Sequence, residues 1–171
     1  MKHQKIIKGG IVKIPLENNF HTYGRILECD IAFYDSRTQK ELSVEEIIKK
    51  SVLFSTAVYD YVIKEGYWLI IGKKPLEPFM LEFEQKPVYT EDIFLNKCII
   101  HYRGGEQKIV NREEVQGLES CTVWTHTSIE KRLNDFYAGR LNWQVENIKI
   151  GRPMTGPLEA EWLKVNSQTQ K

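Results

Sequence analysis

Gly66-Tyr67-Trp68-Leu69-Ile70-Ile71-Gly72-Lys73-Lys74-Pro75-Leu76 is the stretch whose reading decides the fold of this chain. Four consecutive large apolar residues, Trp68 to Ile71, stand between two glycines that let the backbone turn, and Lys73-Lys74-Pro75 breaks the run just after them. The pattern predicts a central strand, apolar on both pleat faces, which the segments before and after must cover from two sides. Trp68 is accordingly expected in the core.

Upstream, after a basic start expected to be frayed, Val12, Ile14 and Leu16 alternate with Lys13, as in a half-buried strand that Pro15 places at an edge or end. Phe20 to Tyr34 reads as one long strand with Leu27, Cys29, Ile31 and Phe33 on one face. Ser43 and Glu46 form a capping box for a short helix near 44–50. Val52 to Ile63 has strand composition throughout. Downstream, Phe79 to Glu84 suggests a further strand, and Gly104-Gly105 between two β-rich runs predicts a hairpin. Asn111 and Glu114 offer a second capping box, and Cys121 to Trp124 a short strand. The main helix is expected near 128–138, with Thr127 and Glu130 as its capping box and Gly139 as its stop.

The expected class is α+β, mostly β: a twisted antiparallel sheet, with a barrel-like closure as a variant, one main helix and one short one. Residues 1–146 read as a single β-rich domain and 147–171 as a C-terminal extension, in which Leu158, Trp162 and Val165 could dock as a short helical segment. Trp143 and Trp162 are candidates to seal the sheet end. At 171 residues the chain is long enough for one core.

The formal net charge of +1 hides an uneven distribution: Lys2, Lys5 and Lys8 crowd the start, whereas residues 10–144 hold 20 acids against 17 bases. A nucleic-acid binder carries a basic excess on its folded part, so the balance argues against that partner. Cys29, Cys98 and Cys121 are too few and too widely spaced for a disulfide framework. No apolar run suits a secretory leader or approaches the ~20 residues of a membrane span, so a cytoplasmic protein with no membrane partner is expected.

Chemistry-bearing patterns are sparse. Cys98-x-x-His101 and Cys121-x4-His126 supply four zinc-ligand types, but residues three apart on a strand face opposite ways. Ser55, Thr56 and Ser128 lack a nucleophile elbow, and neither Gly-Gly pair is followed by a phosphate-loop lysine and serine. The segment 77–92 is the most distinctive: Glu77, Glu82, Glu84, Glu91 and Asp92 stand against Lys86 alone, interleaved with Phe79, Phe83 and Tyr89. Glu82, Glu84, Glu91 and Asp92 are the residues expected to meet a basic partner, where complementary charge speeds association. The same charges would also serve as a solvated edge that blocks sheet-to-sheet pairing.

The order of these signals resembles the immunity protein 26 family, bacterial antidotes encoded beside polymorphic toxins. The resemblance rests on Gly10-Ile11-Val12-Lys13-Ile14-Pro15-Leu16, Tyr23-Gly24-Arg25-Ile26-Leu27, Trp68-Leu69-Ile70-Ile71-Gly72 with Pro75-Leu76, and Gly117-Leu118-Glu119 followed by Ile129-Glu130-Lys131-Arg132-Leu133. It spans about residues 8–144. It implies a mostly β fold, no catalysis, no cofactor, and tight binding to a cognate toxin domain, with a nuclease as one candidate. The mild charge of the body departs from the strongly acidic pattern that an antidote to a basic nuclease would carry. The competing expectation is a β-barrel enzyme or small-ligand module with a pocket around Tyr23, Arg25, His101 and Tyr102, and a third is a β-barrel nucleic-acid binder.

Overall fold

The computed structural model describes residues 3–92, 94–142 and 144–145. The chain runs β1 (Gly10–Pro15), β2 (His21–Ile26), β3 (Ile31–Tyr34), α1 (Val44–Ile47), β4 (Val52–Val58), α2 (Tyr61–Lys64), β5 (Leu69–Lys73), α3 (Pro78–Gln85), β6 (Val88–Asp92), β7 (Lys97–His101), β8 (Gln107–Val110), β9 (Glu119–Ser120), β10 (Val123–Trp124) and α4 (His126–Tyr137). The strands form two sheets, ordered β10-β4-β3-β2-β1-β5 and β8-β7-β6-β9. Pairing is antiparallel except at β10–β4 and β6–β9. The mostly β α+β class is as expected, and neither sheet closes into a barrel among the described residues.

The stretch from Trp68 to Ile71 is not the centre of the sheet. β5 is an edge strand, paired among the described residues only with β1, and Leu69 and Ile71 are exposed on it. Trp68 lies just before the strand and is fully buried, as expected. Gly66 turns the chain out of α2 at φ 80. The start of the chain is held rather than frayed from Gln4 onward. Its Oε1 accepts the Ile70 N–H at 2.8 Å, and its Nε2 donates to the carbonyls of Ile63 and Trp68, each at 2.9 Å.

The central strands are β2 and β3, every residue of which is buried. On β2, Gly24 leaves no room for a side chain, since a Cβ there would stand 2.8 Å from Ile31 Cγ2 and 3.2 Å from Val12 Cγ2. One face of the sheet packs Val12, Ile14, Ile31 and Phe33 against Val62 and Ile63 of α2 and Ile129 and Leu133 of α4. The other packs Ile11, Tyr23, Ala32 and Tyr34 against Ile47 of α1 and Met80 of α3. Each such fully buried side chain stabilises the fold by roughly 1.5–3 kcal/mol.

Three other sequence expectations are corrected. Phe20 to Tyr34 is a hairpin, not one strand: the Leu27 N–H donates to the Asp30 carbonyl at 2.9 Å, and Glu28 and Cys29 are exposed in the turn. Val52 to Ile63 ends its strand at Val58 and continues into the single turn of α2. Phe79 to Glu84 is helical, started by Pro78 at its first turn, with Leu76, Met80 and Phe83 reaching the same core.

The capping boxes at Ser43/Glu46 and Asn111/Glu114 form as expected, the second opening a 3-10 turn over Arg112–Val115. The one expected at Thr127/Glu130 is displaced. Thr125 is the residue that accepts the Ser128 N–H, so α4 begins at His126. The Gly104-Gly105 hairpin joins β7 to β8. Val110, Val115, Cys98, Ile100 and Tyr89 make the smaller core of the second sheet. The extension 147–171, with Leu158, Trp162 and Val165, lies outside the described residues, as does Trp143.

Candidate interaction surface

The acidic residues expected to meet a partner fall on two elements. Glu82 and Glu84 lie on α3, and Glu91 and Asp92 end β6. Glu84 is taken up internally: it pairs with Lys8 at 2.9 Å and accepts the Glu28 N–H at 2.9 Å. Glu91 pairs with Arg112 at 2.6 Å. Asp92 Oδ1 accepts the N–H groups of Phe94 and Leu95 at 3.0 Å each. Glu82 is exposed and has no hydrogen bond or ion pair among the described residues. The sequence run therefore becomes one free carboxylate and three that brace the fold.

The other chemistry-bearing residues are also dispersed. Cys98 is buried, and burial pushes its thiol up, away from thiolate reactivity. His101 sits three positions on along β7 and shares a 2.7 Å hydrogen bond with Thr90. Among the described residues no three His, Cys, Asp or Glu side chains gather as a metal site. Ser128 Oγ is used at the start of α4, bonded to Thr125 at 3.1 Å and to Gln144 at 3.2 Å. Tyr23 packs with α1 and α3 and Arg25 bonds the Lys74 and Pro75 carbonyls, whereas His101 and Tyr102 belong to the second sheet and its hairpin, so these four do not line one pocket. Tyr23 and His21 bond each other at 2.9 Å, and burial holds the His21 imidazole below its usual range.

Two arginines clasp the sheets together. Arg103, in the β7–β8 turn, pairs with the buried carboxylate of Asp30 in the β2–β3 turn. Arg132 of α4 makes two hydrogen bonds to Glu119 of β9, at 3.1 and 2.6 Å, while its guanidinium lies 3.7 Å from the centre of the Phe54 ring. A cleft of about 350 Å³ opens beside them, lined by Asp30, Phe54, Ser55, Lys86, Leu118 and Glu119. Both of its carboxylates are already engaged by these arginines.

A third feature is a corner of four rings on the α2/α4 side. Tyr59 follows β4, Tyr61 opens the single turn of α2, Tyr67 lies beyond its end, and His126 opens α4. Tyr67 stacks on His126 with centroids 4.1 Å apart, and Tyr59 stacks on Tyr61 at 5.9 Å. The two stacks stand at right angles, with Tyr61 edge-on to Tyr67 at 83° and to His126 at 85°. Tyr59 is 48% and Tyr67 38% exposed. This corner is hidden in the sequence because Val52 to Ile63 reads there as one strand, which sends Tyr59 and Tyr61 to one pleat face and does not bring Tyr67 to them. The usable signal is Tyr59-Asp60-Tyr61 closing on Gly66-Tyr67 within a single helical turn.

Beneath the corner, Trp68 Nε1–H donates to Glu130 Oε1 at 2.8 Å. Burial raises the Glu130 carboxyl above the ordinary range, and the indole hydrogen bond offsets only part of that. A raised carboxyl means that its contribution is fully present at low pH and is lost as pH rises through the folded-state value. Glu130→Gln keeps an acceptor for the indole and removes the charge. Its stability relative to the parent is therefore expected to improve between pH 4 and pH 7, as urea midpoints at the two values would record. A difference that stays flat or shrinks would refute the buried-charge account.

This is a two-sheet β scaffold with helices packed on the larger sheet and an exposed aromatic corner on its surface. Residues 7–92, which run from just before β1 through β6, match the family model described as Immunity protein 26. The chain belongs to this family, as the resemblance in the sequence implied. No curated protein and no solved structure matches it. No helix among the described residues is long and apolar enough to cross a membrane.

Proposed function

We propose that this protein binds and neutralises a cognate bacterial toxin domain, acting by occlusion and not by catalysis. The observation that carries the reading is membership of the immunity protein 26 family, whose matched segment 7–92 includes both central strands and all three helices packed before β6. The dispersed titratable residues fit a binding role, because those with functional spacing in the sequence are spent on internal hydrogen bonds and ion pairs. Within the acidic set Glu82, Glu84, Glu91 and Asp92, the exposed Glu82 is the residue best placed to attract a basic toxin surface, the other three contributing field at longer range.

Co-expression with the product of the gene immediately upstream tests the proposal. Rescue of growth and co-purification of a stable complex are expected, with an association rate that falls as salt rises. A harmless upstream product that does not bind would sink it.

A further inference from the structure

We propose that the corner formed by Tyr59, Tyr61, Tyr67 and His126 is the docking site for arginine or lysine side chains on a basic surface of the toxin domain. This rests on the toxin-neutralising reading above and specifies the surface and the chemistry of the contact. The rings are pre-ordered, since each stacks on or abuts another, so little side-chain freedom remains to be lost on binding. The faces of tyrosine rings carry negative quadrupole potential and attract guanidinium and ammonium groups. The exposed carboxylate of Glu65, at the end of the same turn of chain, adds to that field.

The protein's own cations leave the site open. The cation–ring pairs among the described residues are Arg37 over Phe20, Lys86 over Phe83, and Arg132 over Phe54 and Trp124, none of them on this corner. Lys64, the nearest cation in sequence, is drawn to Asp60 at 2.8 Å. As a rigid aromatic anchor beside a carboxylate, the tyrosines match the composition of residues that dominate binding energy at interfaces.

The test uses the full chain and the product of the gene immediately upstream, with affinity measured by calorimetry and protection by co-expression. Tyr59→Ala with Tyr67→Ala is expected to weaken binding about 30-fold or more and to abolish protection. Tyr59→Phe with Tyr67→Phe, which keeps the ring faces, should stay within about threefold of the parent. Hexa-arginine should compete with the toxin and hexa-glutamate should not. Both substituted positions are exposed, so the urea midpoint serves as a control for folding. Parent-like binding and protection by the double alanine variant would overturn this inference while leaving toxin neutralisation standing. A parent protein that neither binds nor protects would overturn the underlying reading and this one with it. Conversion of a dimer to a monomer by the double alanine variant, with toxin binding unchanged, would make the corner a face for a second copy and would overturn the proposal.

Discussion

Trp68→Ala is expected to destabilise the protein by about 3–5 kcal/mol, lowering the melting temperature by roughly 10 °C for a chain of this size. Three connections are lost together. The indole is fully buried and meets the Phe33 ring edge-on at a centroid separation of 6.0 Å, tying the β5 end of the sheet to a central strand. Its Nε1–H holds Glu130 of α4 at 2.8 Å. Its removal leaves a cavity where α2, α4 and the sheet converge, and leaves a half-buried carboxyl without its donor. Trp68→Phe fills most of the cavity and loses only the hydrogen bond, so a cost nearer 1–2 kcal/mol is expected. Urea unfolding with an unchanged slope would measure both. A loss under about 1 kcal/mol for the alanine variant would refute the role given to Trp68 as the bolt between the layers.

That role was legible in the sequence, but the position of the strand beside it was not. Trp68 to Ile71 is the most apolar run in the chain, and hydropathy assigns such a run to the centre of a sheet. In the fold, Leu69 and Ile71 face solvent and the centre belongs to His21-Thr22-Tyr23-Gly24-Arg25-Ile26, a strand that reads as half polar. The polar residues there are hidden because each finds a partner inside: His21 with Tyr23, Thr22 with the Tyr34 carbonyl at 3.0 Å, and Arg25 with two carbonyls of the β5–α3 connection. Periodicity records which residues are apolar, and it carries no information on which polar groups will be satisfied at long range.

The same limit explains the helix α3 and the aromatic corner. Phe79, Leu81 and Phe83 alternate as strand residues do, yet Pro78 sets the backbone for a helical first turn. Met80 and Phe83 then point to the core, leaving Phe79 and Leu81 exposed. The acidic character of 77–92 was visible as composition. Its internal use by Lys8 and Arg112 depends on partners 76 and 21 residues away in sequence. Local capping chemistry, by contrast, was read correctly at Ser43 and Asn111, because donor and acceptor lie three residues apart.

Arg25→Ala is expected to cost about 3–5 kcal/mol, on the scale of breaking a buried ion pair by removing one partner. Arg25 is fully buried near the end of β2. Its Nη2 donates to the carbonyl oxygens of Lys74 and Pro75 at 2.9 and 2.8 Å, and the Glu77 carboxylate lies 3.7 Å away. These bonds pin the connection that carries the chain from edge strand β5 across to α3. Without the guanidinium, two carbonyls lose their donors and Glu77 loses its counter-charge, so the damage exceeds what lost packing alone would bring. The guanidinium is itself imperfectly served, because Nε and Nη1 have no partner among the described residues. A replacement that removes both charges should therefore recover part of the loss. Arg25→Met combined with Glu77→Gln is expected to be more stable than Arg25→Ala, and by more than the volume difference supplies. A gain no larger than the volume difference supplies would show that Arg25 acts through its bulk alone, and the account of β2 as a central strand built around a buried charge would fall.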